Sequence, residues 1–180
     1  VFIGAAINSN SVPFQDPGLV SAPTNDTTCV IPFDAAFGDG WRSNPSVARR
    51  VGCALQARFG FASSVQIFER GVMYRRNDSN EVWAITPGSI SAGKYWYFDN
   101  TGLIPLPLTV TPPEGLRVPV EMFALAWSNN EVREALGFAT TPEQVADLNV
   151  QRFEGGSLFL DVTVGQVFIL FDNGDAFGPY

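Results

Sequence analysis

The chain has no histidine. That removes the usual general base, the commonest metal ligand and every Ser-His or Cys-His pairing. Lys94 is the only lysine, and charged residues are only 16% of the 180, so there is no polybasic surface for lipid headgroups. A formal net charge of -7 repels phosphate backbones and excludes nucleic acid as an expected partner. Arg42, Arg49 and Arg50 cluster, as do Arg75 and Arg76, and both groups read as solvated faces with local ion pairs. The opening apolar stretch, Val1–Ile7, is far too short to cross a bilayer, and no membrane span is expected. There are two cysteines, Cys29 and Cys53, 24 residues apart. Without histidine they make a poor zinc site. A disulfide is the expected pairing, with two buried thiols as the alternative. Asp172-Asn173-Gly174-Asp175 lacks the remaining ligands of a calcium loop and reads as a turn. No nucleophile motif occurs. We expect no catalytic residues, no metal, no cofactor and no enzyme activity.

Hydrophobic residues make up 46% of the chain, ample for a core. The chain also repeats itself. Val51–Ile85 laid over Leu136–Leu170, an offset of 85, matches Gly52 with Gly137, Ala54 with Ala139, Val65 with Val150 and Gln66 with Gln151. Phe68 then falls on Phe153, Glu69 on Glu154, Gly71 on Gly156 and Val82 on Val167. Average residue usage gives roughly two such matches by chance. The matches cluster at turns and apolar positions, as duplication of one small unit would leave them. Glu69 and Glu154 are the one carboxylate pair that suggests hydrolysis. Their equivalence assigns them to folding instead.

The periodicity predicts three parts: an extended N-terminal arm over 1–28, a first unit over 29–106 and a second over 107–180. Phe33, Phe37 and Trp41 are spaced for a short helix. Asn44, Pro45 and Gly52 mark the cap, first turn and end of another. In the second unit Phe123 and Trp127 suggest one helix, and Ser128 with Glu131 a capping box ahead of Gly137. Strand-forming runs follow in each: Val65–Phe68, Val72–Arg75, Glu81–Ile85 and Lys94–Phe98, then Val150–Phe153, Ser157–Asp161 and Gln166–Phe171. The predicted fold is therefore α+β, two tandem repeats of short helices followed by a small antiparallel sheet. Each hairpin is expected to pack on its own helices and on the neighbouring unit.

The run Leu136-Gly-Phe-Ala, the Gln151-Arg-Phe-Glu-Gly-Gly core and the closing Gly165-Gln-Val-Phe resemble the LGFP repeat of bacterial cell-envelope proteins. The first unit keeps Gly52, Phe68, Glu69 and Gly71 of that pattern. Ala54 and Ala139 stand where the family has proline. The resemblance implies a secreted, non-catalytic module of the cell wall or surface, and it brings no ligand residues with it. The valine at position 1 and the paired cysteines lead to the same expectation, a secreted protein of the extracellular cell surface.

Two binding surfaces are expected. In Lys94–Phe98, strand alternation places Tyr95 and Tyr97 on one face and Trp96 and Phe98 on the other, with Trp83 nearby in sequence. The tyrosine face is the candidate interface for sugar rings or another subunit. The second surface is the apolar arm, with Val1, Phe2 and Ile3, which suits strand addition to a neighbour. The leading functional expectation is a structural surface protein that self-assembles into filaments or scaffolds on an envelope partner. The alternative is a monomeric cell-wall or glycan-binding module.

Overall fold

The computed structural model describes residues 29–105 and 107–180. The expected arm over 1–28, with Val1, Phe2 and Ile3, lies outside the described residues. Eight antiparallel strands dominate the rest: β1 (Phe59–Phe68), β2 (Gly71–Arg76), β3 (Val82–Ile85), β4 (Gly88–Phe98), β5 (Gln144–Phe153), β6 (Gly156–Asp161), β7 (Gln166–Phe171) and β8 (Asp175–Gly178). They close into one barrel in the order β1-β2-β3-β4-β8-β7-β6-β5. Among the described residues three short α-helices accompany them: α1 (Pro45–Val51), α2 (Glu121–Trp127) and α3 (Asn130–Leu136). The predicted tandem helix-plus-sheet units are thereby overturned. A four-stranded half has two open edges, and here each edge finds its partner in the other half. β1 pairs with β5 from Phe59↔Val150 to Val65↔Gln144, and β4 pairs less regularly with β8.

The 85-residue spacing survives within the barrel. β5 and β6 begin and end 85 positions after β1 and β2, and α3 stands at the same distance from α1. The two halves meet symmetrically at Ala62↔Asp147, itself a pair of equivalent positions.

Strand alternation sorts the apolar side chains into three layers. The lumen holds Val65, Val72, Tyr74, Ile85, Ala146, Leu148, Val150, Phe159, Phe168, Leu170 and Ala176, with Phe61, Trp83 and Tyr95 at its margin. Two further clusters lie outside the barrel wall, and each joins elements of opposite halves. Val47 and Val51 of α1 pack on Phe153, Leu158, Val167 and Ile169. Phe123 and Trp127 of α2, with Val132 and Leu136 of α3, pack on Phe68, Met73, Val82 and Ala84. The helices therefore cover the strands of the other half, not their own.

The matched columns of the sequence are where this exchange is held. The Cys53 N–H donates to Glu154 Oε2 at 3.0 Å, and the equivalent Phe138 N–H donates to Glu69 Oε2 at 2.8 Å. Gly52 and Gly137 end α1 and α3 at φ of 73° and 75°, a left-handed turn that leaves room for those carboxylates. Gly71 and Gly156 are needed for close approach, since a β-carbon would run into the Ile85 and Leu170 carbonyl oxygens respectively. Gln151 donates to the carbonyls of Pro32 and Gln56, and Gln66 to that of Thr141.

Local capping departs from the sequence reading at two points. Phe37 and Trp41 sit in two 3-10 turns, Ala35–Phe37 and Gly40–Ser43, because Gly38 turns to positive φ between them. α3 is capped by Asn129, whose Oδ1 accepts from the Glu131 and Val132 N–H groups, while Ser128 belongs to the end of α2. Asn44 caps α1 as its sequence position implies. A disulfide joins Cys29 and Cys53. Among the described residues no helix is long and apolar enough to cross a membrane.

Candidate functional site: an open barrel mouth

The two ends of the barrel are built from equivalent positions and differ in chemistry. At one end Tyr74 and Phe168 meet edge to face at 6.2 Å, and the Tyr74 hydroxyl donates to Asp161 Oδ2 at 3.0 Å. Both partners are buried, Tyr74 being 1% exposed and Asp161 3%. Burial, followed by the adjacent carboxylate, pushes the Tyr74 phenol far above its ordinary range. This end is sealed.

At the other end the corresponding aromatic pair is Phe159 and Trp83, edge to face at 5.2 Å. Here the position equivalent to Asp161 is Arg76 and no buried hydroxyl closes the gap. Among the described residues this leaves a cleft of about 320 Å³. Its apolar wall is Phe59, Phe61, Trp83, Tyr95, Tyr97 and Phe159. Phe61 stacks on Trp83 at 6.0 Å with 27° between the planes, and Trp83 meets Tyr97 at 5.6 Å. Its charged rim is Arg76, Glu81, Arg152 and Asp172.

Barrel closure explains how these side chains converge. β3 pairs with β4 so that Trp83 faces Tyr97 and Ile85 faces Tyr95. Tyr95 and Tyr97 therefore share the lumen side, where they line the cleft. Trp96 and Phe98 turn outward and pack with the α2–α3 layer, and Trp96 Nε1 donates to Glu131 Oε2 at 3.2 Å.

The rim charges fall into two kinds. Arg76 is held by Asp78 at 2.7 Å and lies near Glu81 at 3.5 Å, with its guanidinium 4.8 Å from the Phe61 ring centre. The Tyr97 hydroxyl donates to Glu81 Oε1 at 2.7 Å. Burial first, then this bond and the Glu81 charge, push the Tyr97 phenol up to about 12. Arg152 and Asp172 have no salt-bridge or side-chain hydrogen-bond partner among the described residues. Both act on Tyr95, whose pKa is raised chiefly by burial and next by Asp172, with Arg152 pulling the other way.

The other arginine clusters of the sequence are structural. Arg75 bridges Glu121 and Glu143, and Arg50 reaches Asp175 while lying over the Phe171 ring. Among the described residues no group of three or more His, Cys, Asp or Glu is placed to hold a metal. Sequence reasoning did not find Phe59, Phe61, Arg76, Glu81, Arg152, Phe159 or Asp172 as site residues, because they come from both halves and only ring closure assembles them. The available signal was inequality: Arg152 and Ser157 fall opposite Ile67 and Val72 in a stretch of eight columns of which five agree.

No family model, curated protein or solved structure matches this chain.

Proposed function

We propose that the protein is a non-catalytic binding module of the extracellular surface, and that the open barrel mouth receives a single sugar unit of an envelope glycan. The observation that carries this reading is the contrast between the barrel ends. Equivalent positions seal one end with a buried Tyr74–Asp161 hydrogen bond and line the other with an accessible aromatic wall. Barrel mouths are preferred ligand sites when apolar walls meet a few convergent polar groups. The cleft, about 320 Å³ and open to solvent, is of a size to take one substituted sugar ring. Trp83, Tyr95 and Tyr97 supply ring faces with polar tips, and the rim supplies hydrogen-bonding charges for hydroxyl groups. The disulfide supports an oxidising compartment.

Self-assembly by strand addition has less support. Ring closure pairs both edges of each half, so the described strands offer no long open edge to an incoming arm.

The test is titration with soluble peptidoglycan fragments and cell-wall polysaccharide, followed by tryptophan fluorescence and by retention on insoluble wall. Saturable binding that falls tenfold or more in Tyr97→Ala and Tyr95→Ala, yet persists in Tyr74→Phe at the sealed end, is the expected result. Absence of binding to every wall fraction, or binding indifferent to both alanine variants, overturns the reading.

A further inference from the structure

The mouth presents two opposite charges with no side-chain partner among the described residues, set on either side of a small residue. Arg152 lies opposite Ser157 in the β5–β6 register, and Ser157 lies opposite Leu170 in the β6–β7 register. Asp172 follows Leu170 by two positions, one residue past the end of β7. All four residues line the cleft. Ser157, next to Arg152 in the register, is the smallest of the residues that line the cleft.

The sealed end shows that folding does not call for this arrangement. At the positions equivalent to Arg152, Ser157 and Asp172 it carries Ile67, Val72 and Pro87, all without charge. The neighbouring mouth arginine is already satisfied, since Arg76 is engaged by Asp78 and Glu81. Arg152 and Asp172 are therefore the charges left for a ligand.

The sign of each narrows the ligand. A purely anionic sugar meets Arg152 but is opposed by Asp172, by Glu81 and by the protein's net charge of -7. A purely cationic sugar is favoured by Asp172, by Glu81 and by the net charge, and is opposed by Arg152. A ligand carrying both signs satisfies each group and leaves no like-charge contact. The planar guanidinium of Arg152 suits a carboxylate in particular, because it can bond both oxygens at once.

We infer that Arg152 and Asp172 form a dipolar clasp across Ser157, and that the mouth selects a zwitterionic sugar unit, one bearing a carboxylate and a free ammonium group. This rests on the reading of the mouth as a glycan site. The carboxylate lies toward Arg152, the ammonium toward Asp172, and the ring against the aromatic wall.

Four monosaccharide probes of one ring type test it by calorimetry on the unaltered protein: glucose, glucuronic acid, glucosamine and muramic acid, an amino sugar with a lactyl carboxylate. Muramic acid is expected to bind at least tenfold tighter than each of the other three. In Arg152→Gln its affinity falls to that of glucosamine, and in Asp172→Asn to that of glucuronic acid. Equal binding of glucose and muramic acid overturns the clasp and leaves the glycan site standing. Tightest binding of glucuronic acid or glucosamine overturns it in favour of a single charge. If none of the four binds and wall fragments also fail, the glycan reading falls and the clasp with it. Both substituted side chains are at the solvent-facing rim, and the comparison of probes on the unaltered protein does not depend on either variant folding.

Discussion

Truncation of Leu136 tests the exchange of helices between the two halves. Leu136 is the last residue of α3, is fully buried, and lies in one cluster with Phe68, Met73, Val82 and Ala84 of the first half. Its Cδ2 sits close to where a β-carbon on Gly71 would stand, so little space remains around it. Leu136→Ala keeps the backbone bond from the Arg70 N–H to the Leu136 carbonyl and removes only the packed side chain. A buried Leu→Ala change of this kind costs about 3 kcal/mol when the surroundings cannot collapse into the space. For a chain of this size that lowers Tm by roughly 10 °C. The cost alone does not show which strands the side chain supports. A pair of double-mutant cycles does. Met73 and Leu158 are equivalent positions of the two halves, both fully buried. Met73 shares a cluster with Leu136, while Leu158 belongs to the layer beneath α1. Urea unfolding of the single and double alanine variants should give a coupling of roughly 1 kcal/mol between Leu136 and Met73 and none beyond error between Leu136 and Leu158. Coupling to Leu158 with none to Met73 would refute the exchanged arrangement.

Two further measurements follow. All four tyrosines have raised pKa values, with burial the first cause for Tyr74, Tyr95, Tyr97 and Tyr180 alike. The folded protein thus keeps protons that the unfolded chain loses above about pH 10. Stability is full below that pH and declines as pH rises through the folded values, to about 12 for Tyr97 and beyond for Tyr74. Tyrosinate absorbance of the native protein should stay low just above pH 10 and jump when denaturant is added, and an ordinary titration curve without denaturant would contradict this. Reducing the Cys29–Cys53 bridge, which closes a separation of 24 residues, should lower stability by about 3 kcal/mol through the freed unfolded chain. The midpoint in urea should fall by roughly one molar or more, and an unchanged midpoint would show the bridge to be dispensable.

Much of the local structure was legible in the sequence. Asn44, Pro45 and Gly52 bound α1, and the runs from Val65, Val72, Val150 and Ser157 all lie within strands. Those features depend on nearest neighbours and on alternation. Closure was not legible, because the pairing of β1 with β5 joins residues about 85 apart and no local pattern names a partner. β8 was not foreseen, because a strand of only Asp175–Gly178, starting at the last residue of the turn read over Asp172–Asp175, is too short to show alternation. The helices were assigned to their own hairpins because chain proximity is the only guide available before pairing is known. At the mouth, alternation alone put Tyr95 and Tyr97 on one face. Their neighbours Phe159, Arg152 and Asp172 come from the second half and reach them only through the ring.

The near-symmetry about Ala62 and Asp147 bears on what a single polypeptide permits. Two identical chains of half this length, arranged in the same way, would carry two identical entrances, and any substitution that plugged one would plug both. Fusion into one sequence frees each opening to vary on its own. Tyr74 and Asp161 can then stiffen one pole while Trp83, Arg152 and Asp172 stay accessible at its twin. Division of labour between the poles is open only to the fused chain.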